Sequence, residues 1–294
     1  MRGFDSLVVG LDGSPAATTA LDWAIDHLEP DGELHAVHGL SPLLGLGRAA
    51  LQTDVGGARA EVRRMLDVKW TDPARAAGRD VVTHLVDDDP GDAALAVAER
   101  VGADAIVVGP HGVTMNLQVL GGVTRRILHQ SSIPTIVARA SADGDGPIVS
   151  FVGYGQATEG AARWAALRAD AEGTGLVLLH AVGYRPLYPL DSPADTVASY
   201  LGSEVADDWA RADLERLRSE LEPEVPGVAI ETRVERGSVV AAIEAISPRS
   251  RLIVVGKRHT NRLARRVVSH RLQQAIVRSS ATVAVVPSHP PAAA

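Results

Sequence analysis

Ala105-Ile106-Val107-Val108-Gly109 returns later in the chain as Leu252-Ile253-Val254-Val255-Gly256. Each is a short apolar run, rich in β-branched residues and closed by glycine, as expected of a strand buried on both faces. Other landmarks repeat with it. Ala20-Leu21-Asp22-Trp23-Ala24 returns as Ala161-Ala162-Arg163-Trp164-Ala165, and Leu34-His35-Ala36-Val37 as Leu179-His180-Ala181-Val182. The offset grows from 141 (164 − 23) through 145 (180 − 35) to 147 (256 − 109). That drift fits one unit copied twice, with small loop insertions in the second copy. Two domains are therefore expected, at 1–140 and 147–288. The polar, flexible stretch between them links the two, and a Pro/Ala-rich tail follows.

Working outward from the repeated strand, apolar runs at 7–11, 33–38, 80–86, 104–108 and 134–138 read as the strands of the first half. Helical patterns lie between them. Ser14 and Pro15 are placed as N-cap and first helical residue, and Pro30-Asp31-Gly32 as the stop. Further helices are expected over 58–70, over 92–101 and from about Val123. The second half repeats the itinerary, with strands at 148–152, 176–182, 229–236, 252–255 and 282–286. Its helices are expected at 158–171, 203–221, 238–246 and 268–279. Strands alternating with helices imply parallel sheets with right-handed crossovers. The fold expected is α/β, two tandem doubly wound, Rossmann-like domains of five strands each. Trp23 and Trp164 read as packing on the buried faces of the first helices, and His35 and His180 as packed, hydrogen-bonded core residues.

Composition narrows the function. Of 294 residues, 46% are hydrophobic and only 3% aromatic, so the cores must be built from Val, Ala, Leu and Ile. Cysteine is absent, which excludes disulfides, thiolate metal sites and cysteine nucleophiles. A net charge of −7 argues against general nucleic-acid binding, whose affinity comes from neutralising phosphates. No uncharged apolar run approaches the length of a membrane span. The opening residues lead straight into a strand without an apolar leader, and a cytoplasmic location is the expectation. The histidines lack metal-ligand spacing, and no Gly-x-Ser-x-Gly elbow is present.

Ligands of open α/β sheets bind beyond the carboxyl ends of the strands, where strand order reverses. Two loops of the first half should meet there. One is Gly10-Leu11-Asp12-Gly13 after strand one. The other runs from Gly109-Pro110-His111-Gly112 after strand four to Gly121-Gly122-Val123-Thr124. Glycines let backbone N–H groups approach an anion, and the positive end of the following helix assists. Asp12 suits a ribose, whose hydroxyls donate to it. A lone Gly-x2-Gly is commonly no more than a tight strand-to-helix turn; Asp12 and the repeated topology are what point to a nucleotide.

These residues resemble the universal stress protein family in its tandem-domain form, over essentially the whole chain. Its ATP-binding members end strand one in Val-Gly-x-Asp-Gly-Ser, matched by Val9-Gly10-Leu11-Asp12-Gly13-Ser14. After strand four they carry Gly-x2-Gly-x9-Gly followed by Ser or Thr. Gly109 and Gly112 match the first part. Keeping the nine-residue gap puts Gly122 at the third glycine and Val123 at the hydroxyl. Aligning Leu120-Gly121-Gly122-Val123-Thr124 to the family's Leu-Gly-Ser-Val-Thr shortens the gap to eight and replaces the serine with Gly122. Either way the hydroxyl that contacts phosphate is missing, and Thr124 is the residue that could compensate. The resemblance implies ATP with Mg2+ as ligand. Gly10 and Asp12 would then hold the nucleoside, Val37 would contact the base, and Gly109, Gly112, Gly121 and Gly122 would take the phosphates.

In the second copy Gly153 stands where Asp12 does, and Gly256-Lys257-Arg258-His259 replaces the second glycine with His259. That half is expected not to bind ATP in the family's manner. Lys257, Arg258, Arg262, Arg265 and Arg266 form a basic run there, read as a solvated helix face or, alternatively, as an anion or acidic-partner site. Tyr154, Tyr184, Tyr188 and Tyr200 are expected to fill or cover the vacated pocket.

The leading expectation is a non-enzymatic, ATP-responsive stress-response protein with slow hydrolysis at most. It would act through an unknown protein partner, without nucleic acid or membrane. The alternatives are an ATP-independent scaffold of the same fold and an adenylate-forming enzyme. In the family the last strands of neighbouring units pair. The apolar last strands here would otherwise be exposed edges, so an intrachain pseudo-dimer or a homodimer is expected.

Overall fold

The computed structural model describes residues 3–40, 55–112, 119–140, 146–153, 158–183, 193–257 and 269–288. Two compact units divide the chain, one from Gly3 to Arg139 and the other from Ala140 onward.

In the first unit, β1 (Phe4–Gly10), β2 (Leu28–Gly39), β3 (Val81–Val86), β4 (Ala105–Val108) and β5 (Thr135–Val137) are joined by helices. These are α1 (Pro15–His27), α2 (Val55–Arg64), α3 (Asp72–Ala76), α4 (Pro90–Val101) and α5 (Gly122–Gln130). The strands are parallel in the order β3-β2-β1-β4-β5. Val8 pairs with both His35 and Ile106, so the order reverses between β1 and β4.

In the second unit, β6 (Ile148–Phe151), β7 (Leu176–Val182), β8 (Ile230–Arg236), β9 (Leu252–Lys257) and β10 (Thr282–Pro287) alternate with four helices. These are α6 (Glu159–Glu172), α7 (Pro193–Leu221), α8 (Val239–Ile246) and α9 (His270–Arg278). The parallel order β8-β7-β6-β9-β10 matches the first unit strand for strand.

The strands are the apolar runs the sequence marks. Leu7, Val8 and Val9 are fully buried, as are Ile253 and Val254. α1 lays Ala17, Ala20, Leu21 and Ala24 on the sheet at helical spacing. α6 does the same with Ala161, Ala162, Ala165, Ala166 and Ala169. Alanine brings the helix axis close to the sheet, which suits cores with few aromatic residues.

Several boundaries differ from expectation for identifiable reasons. α1 ends at His27, before Pro30-Asp31-Gly32, and β2 already begins at Leu28. The Arg79 guanidinium donates to the carbonyls of Leu28 and Glu29, at 2.9 and 2.7 Å, and holds the chain extended there. Between the pairs Phe4–Leu28 and Ser6–Glu33, β1 advances two residues while β2 advances five, so the turn-like tripeptide bulges from a strand rather than ending a helix.

The helix expected over 58–70 is α2 followed by a π-helical turn, Met65–Trp70. Thr71 donates its hydroxyl to the carbonyl of Leu66, at 3.0 Å, and Pro73 has no N–H with which to continue the ladder. α4 begins at Pro90, two residues early, because the Asp89 carboxylate accepts from the N–H of Gly91 at 3.0 Å. α7 begins ten residues earlier than expected.

Trp23 and Trp164 are half-buried rather than buried. Trp23 stacks on His27, with ring centroids 3.9 Å apart. Tyr154, Tyr184 and Tyr188 lie outside the described residues, as do Arg258, His259, Arg262, Arg265, Arg266 and the Tyr200 side chain.

Candidate functional site

The end of β1 is pinned to β2 before the chain turns. The N–H of Leu11 donates to the carbonyl of Val37 at 2.9 Å. Val37 is 2% exposed, so its side chain is packed in the core. The next residue, His38, donates from Nδ1 to the carbonyl of Leu11 at 2.6 Å. Its ring lies 5.0 Å from that of Trp70, which closes the π-helical turn. The Trp70 indole covers Gly13: a methyl at Gly13 would come within 2.6 Å of Nε1, and φ there is +78°. Only glycine meets both demands.

Asp12 is half-buried between these elements. Its Oδ1 accepts from the N–H of Ser14 at 2.9 Å, while the Ser14 hydroxyl caps α1 by accepting from the N–H of Ala17 at 3.2 Å. The other oxygen faces the second loop, because a methyl at Gly112 would stand 2.5 Å from Asp12 Oδ2. The two loops expected to converge at the switch point therefore touch, through Asp12 and Gly112.

The glycines of the second loop serve different ends. Gly109 abuts the first turn of α1; a methyl there would lie 2.7–2.8 Å from Ala16 atoms, backbone included. It is a packing glycine. Gly10 leaves room for Val108 in the same way, at 3.3 Å. The carbonyl of Pro110 accepts from the N–H of Gly121 at 2.9 Å and closes the loop. Thr124 is 4% exposed and donates its hydroxyl to the carbonyl of Gly109 at 2.7 Å, so that hydroxyl tethers the loop.

Gly121 is the N-cap of α5 and supplies no side-chain acceptor to the first turn. Around Gly122 no atom lies within 4 Å of where a methyl would sit, and Val123 is exposed. The first turn of α5 carries no acidic residue, so its uncapped N–H groups present positive potential. His111 sits between Gly109 and Gly112, half-buried, with a buried Nδ1 that has no hydrogen-bond partner. Sequence reasoning passed over it, although it lies inside the Gly-x2-Gly stretch.

In the second unit, side chains make hydrogen bonds at the corresponding places. Thr158, at the N-cap of α6, donates its hydroxyl to the carbonyl of Gly153 at 2.9 Å. A methyl at Gly153 would lie 3.6 Å from Thr158 Cγ2, the one neighbour within 4 Å among the described residues. At α9 the Ser269 hydroxyl accepts from the N–H of Leu272 at 3.2 Å. Lys257 ends β9, 7% exposed, with its carbonyl accepting from the Ser288 hydroxyl at 3.0 Å.

A separate polar cluster lies across β2 and β3 of the first unit. Arg100 Nη2 is 3.1 Å from His84 Nδ1, and arginine can only donate. The His84 proton therefore sits on Nε2, which donates to His35 Nδ1 at 3.2 Å. His35 in turn donates from Nε2 to Glu33 at 3.3 Å. Burial first, and then the neighbouring His35, Arg100 and Arg63, hold His84 below the usual imidazole pKa. His35 and His180, each 5% exposed, are the packed residues their strand positions suggest. Among the described residues no group of three or more His, Asp or Glu side chains could hold a metal ion. No described helix is long and apolar enough to cross a membrane.

Comparison with known proteins agrees with this architecture. A universal stress protein of Mycobacterium tuberculosis (strain ATCC 25618 / H37Rv) is 34% identical over 142 residues, covering 46% of this chain and 45% of that protein. A Mycobacterium bovis universal stress protein matches to the same extent. The matched region thus spans about half the length of these relatives. The crystal structure of a universal stress protein from Archaeoglobus fulgidus DSM 4304 superposes with a TM-score of 0.69 at 18% identity, covering 96% of each chain. A structure from Pseudomonas aeruginosa UCBPP-PA14 gives 0.61 at 13% identity, covering 97% of this chain and 94% of that one. These two likenesses show the fold. The universal stress protein family pattern itself matches twice, over residues 3–139 and 147–287, and the chain belongs to that family.

Proposed function

We propose that the protein is a nucleotide-responsive regulatory member of the family that binds one adenine nucleotide, ATP with Mg2+, in its first unit alone. The observation that carries this reading lies at the ends of β1 and β4 in the first unit. There Asp12 meets Gly112, and α5 begins at an uncapped glycine. The matching helix of the second unit is capped by Ser269. Backbone N–H groups at a helix start bind phosphate, and a carboxylate beside them suits ribose hydroxyls. The residues present fit such a ligand. Asp12 would hold the ribose, the N–H groups of Gly122 and Val123 would face the phosphates, and Gly112 would let the backbone approach. Gly109 and Thr124 would shape the loop from below. Magnesium would ride on the phosphate oxygens, as it commonly does.

The protein is proposed to act by binding rather than by turnover. Asp12 is already engaged in the Ser14 turn, and no other carboxylate among the described residues of the two loops is placed to activate water. A second reading, an ATP-independent scaffold, draws on Thr124, whose hydroxyl is committed to Gly109.

Calorimetric titration with MgATP, with chromatography of the small molecules released on denaturation, separates the two. The expected result is one site per chain, with ATP or AMP released. Two equivalent sites would refute the restriction to one unit. Absence of both release and binding would favour the scaffold.

A further inference from the structure

Resting on the nucleotide reading above, we propose that the His111 imidazole donates from Nδ1 to the nucleotide phosphates, taking the place of the hydroxyl that this loop lacks. His111 is held between the two loops of the proposed site. Its neighbour Gly112 abuts Asp12, and its own Cα lies 3.3 Å from the position a methyl would take at Gly121, the N-cap of α5. The residue therefore stands between the carboxylate and the open helix end.

Its Nδ1 is buried without a hydrogen bond. A buried, unpaired ring nitrogen is costly and rare in a folded protein, and a ligand oxygen at this place would satisfy it. Among the described residues of the loop, no other side chain offers a donor to spare. Thr124 gives its hydroxyl to Gly109, Gly121 and Gly122 have no side chain, and Val123 is apolar. A neutral imidazole with its proton on Nδ1 donates one hydrogen bond to a phosphate oxygen and leaves Nε2 as an acceptor. Such a contact acts on phosphates alone. It sets the preference for nucleotide over nucleoside and leaves the ribose and base contacts untouched.

The test is calorimetric titration of the full chain with MgATP, ADP and adenosine, comparing wild type with His111→Ala, His111→Asn and His111→Gln. Thermal unfolding of each variant verifies that it is folded. Asparagine carries an amide N–H near the position of Nδ1, whereas glutamine places its own near Nε2. His111→Ala is expected to weaken ATP and ADP about tenfold with adenosine unchanged. His111→Asn should recover most of the loss, and His111→Gln should behave like alanine. Unchanged ATP affinity in His111→Ala overturns the proposal. So does an equal fall for ATP and adenosine, or recovery by glutamine instead of asparagine. If wild type binds neither ATP nor adenosine, the nucleotide site itself fails and this contact fails with it; adenosine binding with no loss in His111→Ala removes only the contact.

Discussion

The two units share strand order and alanine-lined first helices, and they differ at the start of the helix after the fourth strand. In the first unit that helix begins at Gly121, which cannot cap it, above a loop pulled tight by Thr124 and by Gly121 itself. In the second it begins at Ser269, which can. The N-cap bond is the cheapest way for a protein to satisfy a helix start by itself. A fold that forgoes it leaves N–H groups for water or for a ligand. The difference between the twins is thus one of self-satisfaction. The second unit caps its helix with a serine where the first has a glycine, and its Thr158 hydroxyl bonds to the carbonyl of Gly153.

The sharpest way to break this comparison is at Asp12. Asp12→Ala removes the carboxylate proposed for the ribose and should cost about 1.5–3 kcal/mol of nucleotide affinity, roughly tenfold to a hundredfold, read by calorimetry. If the second unit were the binding site, the substitution would leave affinity unchanged.

The next effect is on stability and falls on the other twin. Ser269→Ala should destabilise the second unit by about 1 kcal/mol in denaturant unfolding, with nucleotide affinity unaltered. A neutral outcome would mean that the cap observed at α9 does not distinguish the units.

The smallest effect concerns the histidines. His84 is held below its ordinary value of 6.5, so the folded protein binds fewer protons at this group than the unfolded chain does. Its contribution is therefore fully present above that value and is lost as pH falls through the lower folded value. Arg100 donating to Nδ1 is incompatible with a proton there, whereas Nε2 keeps its proton and can go on donating to His35. In the second unit the strand pairing puts Arg236 at the matching place, opposite Val182 as His84 is opposite Val37, and it is paired with Asp207 at 2.8 Å. Urea midpoints of wild type should fall between pH 7 and pH 5 by less than one proton's worth, about 1.4 kcal/mol per pH unit at the limit. The fall should be flatter in His84→Gln. Equal slopes would place the titration elsewhere.

Much of this was legible in the sequence because it is written in local periodicity. Val107 and Val254 announce buried strands by their neighbours alone, and Ser14-Pro15 announces a helix start. Asp12 and Gly112 could be named as partners because strand order dictates which loops meet. Other features were not legible for an equally physical reason. The bulge at Pro30 depends on Arg79, some fifty residues away, and the π-helical turn depends on where the Thr71 hydroxyl finds a carbonyl.

Sequence by itself determined that one α/β unit occurs twice, where its strands run, and that only the first copy keeps a carboxylate and glycines at the switch point. Tertiary structure alone decided what those residues do. Gly109 packs against Ala16, the Thr124 hydroxyl ties down the loop, and the His111 Nδ1 is left without a hydrogen-bond partner. Periodicity and turn chemistry are properties of neighbours along the chain. Which donor meets which acceptor is settled only when register brings distant residues within about 3 Å.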